Sequence, residues 1–239
     1  MDRVVIEPRY CGPPGLAHGG YVAGLIADHA GALQEPRQWK VRLLQPIPLA
    51  VPLEIAAVNE ALELRQDARV LARAEAHDLQ LVVPSPPDYL QALDASRSFS
   101  GFVRHAFPNC FVCGTERPRG EGMRVFAGAL PARAMVTAPW TPAAAFGGSD
   151  GKVQPRFMAA ALDCPGYFAA RDDGVSMLLG EFTVHIDRCV HVDEPCILIG
   201  WRLGVDGRKY SVGTALFDED GELCARAQAI WIEPRATKP

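Results

Sequence analysis

Two carboxylates, Asp28 and Asp163, each stand alone after a run of small and apolar residues, Val22-Ala23-Gly24-Leu25-Ile26-Ala27 and Met158-Ala159-Ala160-Ala161-Leu162. A lone acid held in a cleft can serve as a general base or a nucleophile toward an acyl carbon. Asp163 is the stronger candidate. Pro165 lacks the amide proton that would bond the Ala161 carbonyl, so the helix is expected to kink or loosen beside Asp163-Cys164 and expose the acid. The competing role for Asp163 is a hydrogen bond to that loosened turn, and Asp28 is read as structural. Ahead of Asp28, His18-Gly19-Gly20 opens a helix. There the unpaired amides of Gly19 and Gly20 can hold a carbonyl oxygen as it gains charge. His18 can donate to the same carbonyl or satisfy its own loop.

Other residues carry weaker chemistry. Arg208 and Lys209 follow the hairpin glycine Gly207, and two fixed cations there suit a diphosphate. Tyr21, Gln154 and Phe157 are further candidates for substrate contact, and the packing of Met158, Tyr167 and Phe168 would set pocket depth. Cys110 and Cys113, with His105 nearby, form a single CxxC. A zinc site takes four ligands, and no second CxxC or HxxxH supplies the other two, so packing of a tight turn is expected and no metal site is assigned. A thioredoxin-like redox role lacks its βαβ context.

The elements that must position these residues come in two similar sets. A helix from His18 carries Val22, Leu25, Ile26, His29 and Leu33 on one face, and Ala23, Gly24 and Ala27 permit close packing. Extended runs follow at 39–49, 53–64 and 69–83, with Pro84-Ser85-Pro86-Pro87 closing the set. Residues 88–118 form a connector with a short helix around Tyr89 to Ala95. A strand pair at 123–127 and 132–138 precedes a second helix from Gln154-Pro155, and four strands follow at 181–192, 196–205, 209–218 and 222–232. Asp206-Gly207 and Asp220-Gly221 mark two hairpin tips. Ala27-Asp28 matches Leu162-Asp163, and Val41 to Leu53 runs parallel to Val184 to Cys196 without a gap. The second set is eight residues longer between these blocks, an insertion at Arg171-Asp172-Asp173-Gly174. The first set is expected to lack a last hairpin. Side-by-side copies bury what neither covers alone and leave a cleft between them.

Bulk properties bound the partners. The 239 residues are 49% hydrophobic, enough for a full core, and a net charge of -4 offers no field for nucleic acid. The N-terminal residues lack a basic region followed by a long apolar segment, and no eighteen apolar residues run together, so a soluble cytoplasmic protein without membrane partners is expected. Seven scattered cysteines read as buried reduced thiols.

These features resemble the hotdog fold in its fused, double form. Ala17-His18-Gly19-Gly20-Tyr21-Val22 is similar to the HGG or GGY start of the central helix in hotdog acyl-CoA thioesterases. Ala161-Leu162-Asp163-Cys164-Pro165-Gly166 resembles the carboxylate-bearing helix of the second unit of double-hotdog proteins. Asn109-Cys110-Phe111-Val112-Cys113-Gly114, followed by Pro118, Gly120 and Gly122, is similar to the CxxCG-xxNPxGxG segment of some single-hotdog thioesterases. The resemblance implies an α+β fold of two fused hotdog units, each a long central helix wrapped by an antiparallel sheet. The units would span 1–87 and 123–239, joined by a connector at 88–122. It further implies a thioester hydrolase of fatty acid metabolism acting on acyl-CoA or another pantetheine thioester. CoA would enter only as part of the substrate, with no cofactor, and the fused pair could dimerise again.

The pattern departs from the family in two places. The helix carboxylate of HGG-type enzymes lies nine residues after the histidine, where this chain has Ala27; Asp28 points about 100° away. In double-hotdog acyl-CoA thioesterases a Thr and a Gln act with the Asp, but those positions fall near Gly180 and Ala229, with Gln228 one residue off. The alternatives are a non-catalytic acyl-CoA binding or sensing module, and a hydratase or dehydratase, whose GDxNPxH-like string is absent.

Overall fold

The computed structural model describes residues 2–29, 38–171 and 175–235. In chain order these form β1 (Asp2–Val5), α1 (Gly19–His29), β2 (Trp39–Leu43), β3 (Pro52–Val58), β4 (Ala61–Gln66), β5 (Arg69–Ala76) and α2 (Tyr89–Arg97). There follow β6 (Gly128–Leu130), β7 (Met135–Trp140), α3 (Pro155–Ala170), β8 (Leu178–Ile186), β9 (Cys196–Asp206), β10 (Lys209–Phe217) and β11 (Leu223–Ile232). The strands make one antiparallel sheet in the order β1-β3-β4-β5-β2-β8-β11-β10-β9-β7-β6. From its centre outward the sheet reads β2-β5-β4-β3-β1 on one side and β8-β11-β10-β9-β7 on the other, the same succession of chain positions.

The centre is the β2–β8 pair, in register from Trp39↔Val184 to Arg42↔Glu181. Arg42 reinforces the seam by bonding Glu181 at 3.1 Å, a cross-strand ion pair on the exposed face. The other face wraps α1 and α3. Residues 20–27 of α1 are buried throughout, as expected of a helix with no polar face. α3 is likewise buried from Phe157 to Phe168 and packs against β7, β9, β10 and β11.

Several sequence expectations change. The run 53–64 is two strands, because Asn59 adopts a left-handed turn (φ 56°) that pairs β3 with β4. Reading it as one strand left the first half a hairpin short. The β4–β5 hairpin, turning at Asp67 with φ 52°, is in fact present. Residues 123–127 are not a strand; Met123 and Val125 donate their amides to the Phe111 and Val112 carbonyls, and the strand pair forms later, as β6 and β7. α3 continues through Pro165 to Ala170, and Asp163, expected to be exposed beside the proline, is buried, because packing on all sides outweighs one missing helical hydrogen bond. The connector helix reaches Arg97 and begins with an Asp88–Gln91 capping box. The expected extension of the first helix to Leu33, and most of the insertion at Arg171–Gly174, lie outside the described residues.

Candidate active site

α1 and α3 cross at a stripe of small residues. A β-carbon on Gly20 would lie 2.6 Å from Asp163 Cβ and 2.9 Å from the Ala159 carbonyl, and one on Gly24 would lie 2.5 Å from Arg156 Cα. Both positions therefore require glycine. As α1 advances from Gly20 to Gly24, its partners on α3 step back from Asp163 to Arg156, so the helices run in opposite directions. Each helix thus brings its acid to the first turns of the other.

Asp163 is fully enclosed, at 2% exposure. Its Oδ2 accepts the Gly20 amide at 2.7 Å and lies 3.4 Å from His18 Nδ1, while Oδ1 has no hydrogen-bond partner among the described residues. Burial pushes its pKa up to about 6, against the pull of His18 and the Gly20 amide. The Gly20 amide, expected to face substrate, is instead committed to this carboxylate. In the first turn of α1 the Tyr21 amide goes to His18 Nδ1 and the Val22 amide to the His18 carbonyl. Among the described residues the Gly19 amide makes no hydrogen bond.

His18 lies over a cluster of thiols. Its Nε2 is 3.5 Å from Cys164 Sγ, which is 3.6 Å from Cys110 Sγ. Cys113 is buried close by and interacts electrostatically with both Cys110 and Cys164, although its thiol stands outside the group of His18, Cys110 and Cys164, whose donor atoms all lie within 4.8 Å of one another. Burial alone would raise the Cys110 pKa, but bonds from the Cys113 and Cys164 thiols and from His18 bring it well below the usual thiol value. All are free thiols. His105, the expected companion of the CxxC, is occupied elsewhere. Its Nδ1 accepts the Phe107 amide at 2.9 Å, so its Nε2 carries the proton and donates to the Cys113 carbonyl at 3.1 Å.

A cavity of ≈ 320 Å³ opens beside this cluster. His18, Gly19, Cys110, Cys113, Asp163 and Cys164 form its polar end, Leu43, Ile47, Phe107, Met177 and Leu179 its apolar wall, and the exposed Arg208 reaches its rim. Arg208 is held there by donating to the Glu233 carbonyl.

Other expected site residues lie elsewhere. Tyr21 stacks on Tyr10 with ring centroids 4.2 Å apart, and Phe157 packs against both rings, so these two are core side chains. Burial pushes the Tyr21 pKa up to about 12. Gln154 precedes α3 and donates to the Gly147 carbonyl. Lys209 is exposed and is not a lining residue; Asp28 pairs with Arg156 Nη1 at 3.6 Å, far along α1 from His18. Gly180, near which the family's Thr position falls, lines the cavity, whereas Gln228 and Ala229 are not among its lining residues.

Sequence reasoning missed most of the apolar wall, including Phe107, Met177 and Leu179, and the polar lining residues Cys164 and Gln45. Adjacency to Asp163 was the signal available for Cys164. Gln45 stands in an irregular connection and carried none.

No protein-family profile matches the chain, and no curated protein does. Solved structures do. The tesB protein of Mycobacterium avium subs. paratuberculosis superposes with a TM-score of 0.66 at 16% identity, covering 97% of this chain and 92% of that one. Acyl-CoA thioesterase II TesB2 from Mycobacterium marinum gives 0.61 at 14% identity, covering 98% and 94%. A protein of unknown function with a hot dog fold from Alicyclobacillus acidocaldarius gives 0.56 at 14%, covering 98% and 93%. Over nearly its whole length, the chain has the hotdog-type fold of these structures.

Proposed function

We propose that this protein is an acyl-thioester hydrolase acting on acyl-CoA or a related pantetheine thioester, with Asp163 as the acid of its site. The observation that carries the reading is Asp163 itself: a buried carboxylate with one oxygen fixed by Gly20 and His18 and the other unbonded, at the polar end of an otherwise apolar cavity. Structures of similar fold that bear thioesterase names support the same substrate class.

With the acyl chain along Leu43, Ile47 and Leu179, the thioester carbonyl reaches the Gly19 amide, which stabilises the oxyanion as it forms. Asp163 Oδ1 takes a proton from water; the hydroxide attacks the carbonyl carbon. The C–S bond then breaks, and the departing thiolate recovers the proton from Asp163 as the free acid leaves. Attack by Asp163 itself, through an anhydride that water then opens, uses the same atoms. Arg208 at the rim suits the phosphates of the CoA arm.

The matched succession of strands and the helices running in opposite directions support an internal duplication, a double hotdog with units at 1–87 and 123–239 around a connector at 88–122. On that reading there is one site per chain, the first unit supplying amides and the second the acid. A homodimer of such chains is the proposed assembly.

The test is thiol release from short, medium, long-chain and aromatic acyl-CoAs. Hydrolysis by the wild type that Asp163→Asn abolishes supports the assignment. Turnover untouched by that change removes Asp163 from the site, and tight binding of CoA esters without thiol release identifies a binding module instead.

A further inference from the structure

The thiol cluster is more than packing. Cys110 and Cys113 come from one turn of the connector, Cys164 from the middle of α3 and His18 from the residue before α1. Three separate segments therefore converge on one buried point. The turn is built tightly: the Gly114 amide donates to the Cys110 carbonyl at 2.9 Å, and a β-carbon on Gly114 would lie 2.4 Å from that oxygen. The Phe111 and Val112 carbonyls, bonded to Met123 and Val125, clamp it from behind.

We propose that His18, Cys110, Cys113 and Cys164 form a tetrahedral Cys3His site for a thiolate-binding divalent ion, zinc above all. Zinc sits about 2.3 Å from sulfur and about 2.0–2.1 Å from nitrogen, which sets tetrahedral edges of about 3.8 Å between sulfurs and about 3.6 Å between nitrogen and sulfur. The separations are 3.6 Å for Cys110 to Cys164 and 3.5 Å for His18 Nε2 to Cys164, and the donor atoms of His18, Cys110 and Cys164 all lie within 4.8 Å of one another. These match three corners of a metal tetrahedron and are far from the 2.05 Å of a disulfide; Cys113, which interacts with Cys110 and Cys164 but stands outside that group, must close in on the ion to supply the fourth corner. Three buried thiols around one histidine are also the soft donor set that selects zinc over magnesium or calcium.

Asp163 completes the arrangement from outside. A metal on His18 Nε2 requires the ring proton on Nδ1, which lies 3.4 Å from Asp163 Oδ2, the carboxylate–histidine pairing that orients metal-bound imidazoles. Tyr21 N–H, 3.3 Å from the same Nδ1, then gives up that acceptor. With four protein ligands the ion has no open position, so its role is structural. It ties the connector turn to the crossing of α1 and α3 and fixes His18 against the carboxylate.

The experiment reads metal, not turnover. Full-length protein from zinc-supplemented cells is dialysed and measured by plasma mass spectrometry, and chelator-treated protein is titrated with Co2+ alone. The expected result is about one zinc per chain and a thiolate-to-cobalt charge-transfer band. Cys110→Ser and Cys113→Ser should each remove both signals, while Cys189→Ser and Cys224→Ser keep them. Cys164→Ser risks misfolding in the middle of α3, so the two turn variants, checked for native circular dichroism, carry the decision. A folded wild type that takes up neither ion overturns the site. So does metal that survives both turn variants, or a Cys110–Cys164 disulfide in protein prepared with zinc and reductant. Since no substrate enters, failure here leaves the hydrolase reading standing, and a failure of hydrolysis leaves the metal count unchanged.

Discussion

The two ends of the α1–α3 pair carry the same chemical group in different settings. Asp163 touches the start of α1, and Asp28 touches the start of α3 through Arg156. Burial pushes both carboxylates up to about 6. They differ in what surrounds them. Asp28 faces a guanidinium, lines no cavity and keeps a side chain 21% exposed; Asp163 has a backbone amide, a histidine, an unbonded oxygen and an apolar cavity. A raised pKa alone therefore does not mark a site. What singles out Asp163 is a buried oxygen with nothing to bond, on a residue that lines the cavity.

The sharpest way to break the comparison is to neutralise each acid in turn. Asp163→Asn keeps the shape but removes the base, and thiol release should fall by about 10²–10⁴-fold. Asp28→Asn should change turnover by less than about threefold, since it touches no lining residue. Steady-state kinetics on a single acyl-CoA decides this, and an equal loss in both variants would erase the functional distinction between the two ends.

Glycine at the crossing gives the next largest effect. Gly20→Ala and Gly24→Ala both force a methyl against a neighbouring helix, and each should cost about 1–3 kcal/mol in urea unfolding. Only Gly20→Ala presses on Asp163 Cβ, so it alone should also lower turnover per folded molecule by more than about tenfold. A Gly20→Ala enzyme of undiminished turnover would mean that the Gly20–Asp163 contact positions nothing.

Each buried acid should make the stability of the chain depend on pH, and Asp28 can be tested without touching the cavity. Burial lifts the folded pKa of Asp28 from 3.8 to about 6, so the folded chain holds this proton more tightly than the unfolded one. The resulting stabilisation is complete below the unfolded value and is lost as pH rises through about 6, an effect of about 2–3 kcal/mol. Asp28→Asn should flatten that part of the stability profile between pH 4 and 7. Matched urea titrations of the wild type and the variant measure it; superimposable profiles would show that Arg156 already compensates the buried charge.

How much of this was legible in the sequence follows from the range of the forces involved. Local patterns located α1, α3 and the strand meander, since apolar periodicity and the Asp-Gly turns act over a few residues. The left-handed turn at Asn59 lacked a glycine to announce it, and one hairpin was lost with it. Asp163, His18 and Gly19 could be singled out one by one from the sequence. The commitment of Gly20 to Asp163 was not, because it joins residues 143 positions apart. The CxxC supplied two donors by spacing alone, whereas Cys164 and His18 reach the same point only through the crossing of two helices. Tyr21 and Phe157 were expected in the pocket because they are aromatic and adjacent to the motifs, yet their helix faces turn them into the ring cluster around Tyr10. Proximity in sequence fixed the helix but not the face.

The smallest effect separates two neighbouring cations. Arg208 reaches the cavity rim and is held in place by its bond to the Glu233 carbonyl, whereas Lys209 is exposed and is not itself a lining residue. If the rim meets the phosphates of CoA, Arg208→Ala should raise KM for an acyl-CoA about 5–10-fold with little change in kcat, the loss of one charge-assisted contact of about 1 kcal/mol in a solvated setting. Lys209→Ala should leave KM within about twofold. The Arg208 effect should shrink as salt is raised, because the rim is open to solvent, and it should vanish for a truncated acyl-pantetheine that has no nucleotide. A truncated substrate that is just as sensitive to Arg208→Ala would place the guanidinium's role at the acyl end, next to Asp163, and would bring the rim and the acid into a single region.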